Sequence, residues 1–140
     1  MTVMRKLVSI LLFFATLCSV ANVSAQEGAE RGFNLIVVGD PQPQTEAQME
    51  SLEREIIPQI GDIVAEYRAE SELPIAILLT GDVVWDTMSF LPRVKADFEA
   101  LGVPVYAVIG NHDHNKRHQR NQAKAEQAYV EAFGARNQAF

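Results

Sequence analysis

The sequence has a single cysteine, Cys18, which lies in an apolar stretch near the amino terminus. No disulfide can therefore form within the chain, so packing or bound metal must stabilise the fold. No uninterrupted apolar run reaches the roughly 20 residues that a membrane-spanning helix needs. With 48% hydrophobic and 21% charged residues among 140, the chain has the composition of one globular unit rather than of a disordered tract.

The amino-terminal residues are typical of a secretory signal peptide. Arg5 and Lys6 precede the apolar stretch Leu7 to Val20, which leads into the small-residue site Val23-Ser24-Ala25. A transmembrane anchor is the structural alternative, but the stretch is too short for it. We therefore predict a secreted or periplasmic protein without a stable membrane anchor after cleavage.

Three segments follow from that prediction: a signal peptide over residues 1–25, a short linker over 26–32 and a folded domain over 33–140. A lipid anchor on Cys18 is disfavoured, because Leu17 is bulky where a lipoprotein cleavage signal has a small residue. Cleavage after residue 25 would also remove the only cysteine. We detect no internal domain boundary or repeat.

The chain is acidic. Losing Arg5 and Lys6 with the signal peptide leaves 10 basic residues against 18 acidic ones, a net charge of −8. Non-specific binding to nucleic acid is therefore not expected. One exception to the acidic character is the basic run NKRHQR, Asn115 to Arg120, which is either a solvated helix start or a feature that steers an anionic substrate.

Three apolar runs each end in glycine followed by a short polar residue. They are FNLIVVGD ending at Asp40, IAILLTGD ending at Asp82 and VYAVIGN ending at Asn111. Such runs predict strands that are covered on both faces of a sheet. Helical patterns lie between them, so right-handed crossovers predict an α/β fold with a parallel βαβαβ arrangement. The three polar residues are then expected at one edge of the sheet, where open α/β folds bind ligands.

The two connections have the spacing of amphipathic helices. The first begins with a capping box formed by Thr45 and Gln48, and Pro58 is expected to kink or split it. The second is predicted over roughly Ser89 to Leu101. Six residues of the first connection recur at helical spacing: Met49, Leu52, Ile56, Ile60, Ile63 and Tyr67.

The polar residues at the strand ends have two interpretations. Any one of them alone is a common turn-former or helix cap. Three at one edge, accompanied by Gln42 and His112, instead favour a metal site, because carboxylate, carboxamide and imidazole groups hold hard or borderline divalent metals. A nucleotide-binding domain fits the architecture as well, but GDPQPQ follows the first strand in place of a glycine-rich phosphate loop.

Three short blocks carry a resemblance to a known family. Asp40-Pro41-Gln42, GDVVWD starting at Gly81 and GNHD starting at Gly110 resemble, in order, the first three sequence blocks of the calcineurin-like metallophosphoesterase superfamily. The resemblance spans about Phe33 to His114 and implies the N-terminal part of a metallophosphoesterase-type α/β sandwich. It implies hydrolysis of a phosphomonoester or phosphodiester with two divalent metal ions, drawn from Mn, Mg, Fe or Zn.

The resemblance also implies roles for individual residues. Asp40 would bind the first metal together with Gln42, Asp82 would bridge both metals, and Asn111 would bind the second through its amide oxygen and contact the substrate. A hydroxide between the metals would attack the phosphoester. His112 would donate a proton or contact the phosphate, help that is typically worth about 10²–10⁴ in rate. A degenerate relative that binds phosphate or metal without turnover is the alternative.

Two positions depart from the family pattern. Family members usually have histidine where Gln42 stands, and its replacement by a carboxamide favours harder ions such as magnesium or manganese. Many have a second Asp or Asn at the position of Trp85, which in some of them orients the catalytic histidine. Asp86, one residue later, either takes that role or caps the second helix, and we expect the cap.

The segment after Asn111 completes the expectations. Asp113 is predicted to fix the turn after His112 by accepting backbone hydrogen bonds, and His114 is predicted at the rim of the pocket or in solvent. The family closes its site with further histidines from later strands, whereas only His112, His114 and His118 follow Asn111. We therefore expect the chain to be part of a longer precursor.

Overall fold

The computed structural model describes residues 32–135. The predicted signal peptide and all but the last residue of the predicted linker lie outside this range. The described part contains three strands: β1 (Asn34–Val38), β2 (Ile75–Leu79) and β3 (Val105–Ala107). It also contains five α-helices: α1 (Glu46–Ser51), α2 (Ile57–Glu70), α3 (Leu91–Glu99), α4 (Gln122–Ala125) and α5 (Gln127–Phe133). None of the helices in this range is long and apolar enough to cross a bilayer.

The three strands form one parallel sheet in the order β1-β2-β3. Ile36 is opposite Ile77 across the first pair of strands, and Ile77 is opposite Val105 across the second. Hydrogen bonds from Thr80 N to Val38 O (3.1 Å) and from Val108 N to Leu79 O (3.0 Å) continue the pairing past the strand ends. The predicted α/β fold is confirmed, and the loops after all three strands lie at one edge.

The helices of the two connections pack on one face of this sheet. Ile36, Ile77 and Leu79 belong to a single buried core. Both crossovers progress in the same direction along the sheet, so the right-handed rule puts both connections on the same side. On the opposite face, Leu35 and Val37 of β1 are 36% and 58% exposed. The prediction that every strand is covered on both faces is therefore wrong for β1.

The first connection is one long helical segment with an irregular turn. Gln48 N donates to Thr45 Oγ1 and Thr45 N donates to Gln48 Oε1, which confirms the predicted capping box. A π-helical turn over Leu52–Ile56 joins α1 to α2, and the N–H of Ile57 donates to Leu52 O. Because Pro58 has no N–H to continue the α-helical pattern, the predicted irregularity takes the form of this π turn.

The π turn also changes which side chains face the core. Hydrogen bonds in a π turn span five residues instead of four, so every later side chain is rotated relative to a continuous α-helix. Ile60 is buried as its spacing predicts, and Val64 is buried with it. Ile56, Ile63 and Tyr67 are between 37% and 42% exposed, so their placement on the apolar face was wrong.

The second connection buries Leu91, Val94 and Phe98 on α3, after a 3₁₀ turn over Met88–Phe90. Arg93 ties this helix to the first connection. Its Nε donates to Glu53 Oε1 (2.5 Å) and its Nη2 to Glu53 Oε2 (2.8 Å), and a further ion pair joins it to Glu46. The two connections are thus linked on the face of the sheet that carries the core.

Candidate active site

The loops after β1 and β2 adopt a backbone conformation that most residues avoid. Asp40, Gln42, Asp82 and Asp86 have φ angles of 43°, 45°, 45° and 59°. Among the described residues, these are all of the non-glycine residues with positive φ. Such residues cost on the order of 1–3 kcal/mol each and cluster at functional sites. The fold therefore holds these polar side chains at the sheet edge against their local preference.

Asp82 contacts two of the other predicted site residues, Gln42 and His112. The backbone N–H of His112 donates to Asp82 Oδ1 (2.9 Å), and Gln42 Nε2 donates to Asp82 Oδ2 (3.4 Å). The backbone N–H of Gln42 also donates to Asp82 O (3.3 Å). The three loops thus converge on this carboxylate. The amide nitrogen of Gln42 points toward Asp82. Rotation of the amide group by half a turn would place Oε1 there instead.

Asp40 and Asn111 complete the set of predicted metal ligands at this edge. Asp40 is exposed and lies two residues before Gln42 in the loop after β1. Asn111 is also exposed and begins the 3₁₀ turn Asn111–Asp113 after β3. Both side chains are therefore accessible from solvent, as a ligand that exchanges metal or substrate requires.

Two glycines let the second and third loops touch. Gly81 has a φ of 103°, which favours glycine, and a Cβ there would lie 3.2 Å from Gly110 Cα. Gly110 has extended backbone, but a Cβ on it would lie 2.1 Å from both Asp82 N and Asp82 Oδ1. The requirement at Gly110 is thus one of space, whereas at Gly81 conformation and space both contribute.

His112 is held on three sides. Its Nδ1 lies 3.1 Å from Asp86 Oδ1, and its ring stacks on Trp85 with centroids 3.7 Å apart and planes 20° apart. Its backbone carbonyl accepts a hydrogen bond from Asp86 N (3.2 Å). The imidazole therefore has a defined orientation, and Nε2 is the ring nitrogen not used by Asp86.

Asp86 contacts His112 instead of capping the second helix as expected. The 3₁₀ turn at Met88–Phe90 has no side-chain cap, so the predicted helix cap was wrong. The left-handed conformation of Asp86 lets its carboxylate reach His112 although it stands one residue later than the family pattern. Lys116 Nζ donates to Asp86 Oδ2 (2.5 Å).

The charge state of Asp86 determines which group is the donor in its hydrogen bond with His112. The hydrogen bond from Lys116 has the largest effect on the pKa of Asp86 and lowers it; burial, the next largest effect, raises it, and the hydrogen bond with His112 lowers it further, so that the pKa lies below its ordinary value. Asp86 is thus an ionised acceptor, so Nδ1 of His112 must be the donor. The basic run is evident in the sequence, but the contact of Lys116 with this carboxylate could not be predicted from it.

Asp113 lies beneath the site and is fully buried. It accepts hydrogen bonds from Gly110 N (2.8 Å) and Val84 N (3.0 Å), which confirms its predicted role in the turn. Burial raises the pKa of Asp113. His114 is about one third exposed and lies 3.8 Å from Glu126, consistent with a position at the rim.

One of the comparisons with known proteins identifies a family. The model of one family, the calcineurin-like phosphoesterases, matches residues 33–140. The chain belongs to the calcineurin-like phosphoesterase family. A search of curated proteins and a search of solved structures each found no match. Family membership points to phosphoester hydrolysis as the general chemistry and to divalent metals as the general cofactor.

The residues of this calcineurin-like phosphoesterase fit some metals better than others. Within residues 32–135, no group of three or more His, Cys, Asp or Glu side chains could hold a metal ion. The predicted ligands are instead two carboxylates, Asp40 and Asp82, and two carboxamides, Gln42 and Asn111. This all-oxygen set fits a hard cation such as magnesium or manganese, whereas zinc prefers histidine and cysteine.

Proposed function

We propose that this chain hydrolyses a phosphomonoester or phosphodiester with the help of divalent metal. One observation carries the proposal: His112 is held by Asp86, Trp85 and the backbone directly beside Asp82, at the edge where the ligands of a metal would lie. An imidazole fixed next to a carboxylate and only partly buried is suited to transfer a proton to a departing oxygen.

Asp40, Gln42, Asp82 and Asn111 would hold the metal. When bound, a divalent cation supplies Lewis-acid stabilisation of the charge on the phosphoryl oxygens. Asp82 is the ligand best placed to serve more than one partner, because it already contacts groups from the other two loops. In this proposal a hard ion such as manganese or magnesium is preferred.

Side chains of the protein transfer the proton to the leaving oxygen in this proposal. With Nδ1 donating to the Asp86 carboxylate, Nε2 of His112 is the atom that holds or passes a proton at the leaving oxygen. Trp85 fixes the plane of the imidazole by stacking on it. Asp86 and Trp85 are thus positioning residues for His112.

The test is hydrolysis of 4-nitrophenyl phosphate with manganese present. We expect Asp82→Asn to lose both metal binding and turnover, since the carboxylate at the junction of the three loops is removed. Asp62→Asn, an exposed aspartate on α2, is the matched control and should behave as the unmodified protein. Full metal binding and turnover in Asp82→Asn would refute the proposal for this residue.

His112→Asn separates chemistry from metal binding. We expect turnover to fall by about 10²-fold or more with metal content unchanged, because a proton donor and not a ligand is lost. His114→Asn is the matched control two residues away. A His112→Asn protein without metal would make His112 a ligand and contradict the role proposed for it.

The second candidate function is binding of metal or phosphate without turnover. Within residues 32–135, no group of three or more His, Cys, Asp or Glu side chains could hold a metal ion, and this favours binding without turnover over metal-dependent catalysis. In that case calorimetry would detect binding of manganese that depends on Asp82, while no nitrophenol would be released above the level of His112→Asn. The same pair of measurements therefore distinguishes the two functions.

A further inference from the structure

A groove of about 370 Å³ next to the site is lined by basic side chains. We call it the basic groove; its cationic residues are Lys116, Arg117, Arg120 and Lys124. They belong to a twelve-residue stretch, 114–125, that contains no Asp or Glu, in a chain whose net charge is −6. The volume lies within the range of roughly 300–1,000 Å³ that is typical of small-molecule sites.

The backbone of the basic groove is braced by its own hydrogen bonds. Asn115 Oδ1 accepts from Arg117 N (3.1 Å) and Asn121 Oδ1 accepts from Lys124 N (3.2 Å), so each short helical turn is capped. Asn115 N donates to Ala125 O (2.8 Å), which joins the two ends of the loop. The cations are therefore presented by an ordered loop rather than by a free tail.

Most of these cations have no acidic partner in the described part of the chain. Within residues 32–135, Arg117, Arg120 and Lys124 make no salt bridge, whereas Arg93 pairs with two glutamates. Three cations thus lie together without a salt bridge, although the chain as a whole has more acidic than basic residues. Their mutual repulsion is unfavourable unless an anion is bound there.

Only the carboxylate of Asp86 separates the basic groove from His112. Lys116 Nζ donates to one oxygen of Asp86, and the other oxygen of Asp86 contacts His112 Nδ1. A phosphate in the basic groove would therefore lie close to a phosphoester at His112. A small molecule that carries two phosphates could occupy both positions at once.

We infer that the basic groove binds a second phosphate of the substrate, so that the preferred substrates are bisphosphorylated small molecules. The inference rests on the proposed hydrolysis at His112. A long nucleic acid is disfavoured as the ligand, because the remaining surface of this acidic protein repels an extended polyanion. A single phosphate group, in contrast, contacts only the groove and not the acidic surface around it.

The experiment compares two substrates that differ by one phosphate, adenosine 5′-monophosphate and adenosine 3′,5′-bisphosphate. The full chain is incubated with each nucleotide in the presence of manganese, and chromatography measures the release of the 5′-phosphate. We expect kcat/KM to be higher for the bisphosphate, and the ratio of the two values to fall about tenfold in the double variant Arg117→Gln/Arg120→Gln. Arg54→Gln, an exposed arginine outside the groove, should keep the ratio.

A binding measurement makes the outcome independent of turnover. In EDTA, calorimetry should show tighter binding of the bisphosphate to the unmodified chain than to the double variant, and Arg117→Lys/Arg120→Lys should retain most of the affinity. If neither nucleotide is hydrolysed but this difference persists, the proposed function fails and the phosphate site stands. If the monophosphate is hydrolysed and the double variant leaves both the ratio and the binding unchanged, the inference is overturned. Tighter binding of a single-stranded oligonucleotide than of the bisphosphate would overturn it as well.

Discussion

Replacing Gly110 with alanine is the sharpest structural test of the site. The new Cβ would lie 2.1 Å from Asp82 N and from Asp82 Oδ1, and 2.8 Å from Asp82 Cγ. One of the three atoms belongs to the backbone, so rotation of the Asp82 side chain cannot relieve the contact. To restore an ordinary separation of about 3.5 Å, the loops after β2 and β3 must move apart by more than 1 Å.

The cost of Gly110→Ala can be bounded from that geometry. Overpacking of this kind costs about 1–3 kcal/mol, and 2 kcal/mol lowers the melting temperature of a domain of about 100 residues by roughly 10 °C. We also expect weaker manganese binding, because Asp82 is the residue displaced. Thermal unfolding followed by circular dichroism, with and without manganese, measures both effects.

Gly39→Ala is the matched control, since Gly39 precedes Asp40 as Gly110 precedes Asn111. A Cβ on Gly39 would meet Thr80 Oγ1 at 3.7 Å, which is ordinary contact. Alanine also restricts the unfolded chain in both variants, so this contribution cancels in the comparison. If the two variants unfold at the same temperature, the close approach of Asp82 to Gly110 is not as described.

Three further predictions follow from the same site. Asp113→Ala leaves the N–H groups of Val84 and Gly110 without their acceptor and should cost about 2–4 kcal/mol in urea unfolding; an unchanged midpoint would contradict the buried contacts. Gln42→His should raise the affinity for manganese or zinc in calorimetry, because imidazole is the stronger donor for borderline metals, and unchanged affinity would mean that residue 42 does not reach the metal. In Lys116→Gln the lowered pKa of Asp86 should rise toward its ordinary value of about 4, measured by carboxyl ¹³C titration. The stabilisation from that ion pair is present above the unfolded-state pKa and lost as pH falls through the lowered value, so the variant should lose stability at neutral pH and match the unmodified chain in acid.

The sheet and its functional edge could be predicted because their signals are local and repeated. Three apolar runs that each end in a glycine and a polar residue define the strands, and the order of strand and helix defines the parallel arrangement. The capping box at Thr45 was equally predictable, since both partners lie within one turn of helix.

The orientation of His112 could not be predicted in the same way. Whether Asp86 caps a helix or reaches the imidazole depends on the path of its loop, in which Asp86 has a positive φ, and Asp tolerates positive φ without a sequence marker. The contact with Lys116 joins residues 30 positions apart and depends on the path of the loop after β3. Exposure of β1 also escaped prediction, because its continuous apolar run lacks the alternation with polar residues that usually marks a strand covered on one face only.

The π turn at Leu52–Ile56 gives the first connection one surplus residue. Leu52, the first residue of the turn, and Ile57, the residue just after it, both pack in the core and are five positions apart instead of four. The first connection thus accommodates the extra residue without loss of packing. Homologous chains could therefore differ by one residue in this segment without changing the core. Such a deletion would leave Pro58 inside an unbroken α-helix, at a cost of about 3 kcal/mol. Loss of the surplus residue and loss of the proline are thus expected to occur together in evolution, as one paired change in the length and composition of this helix.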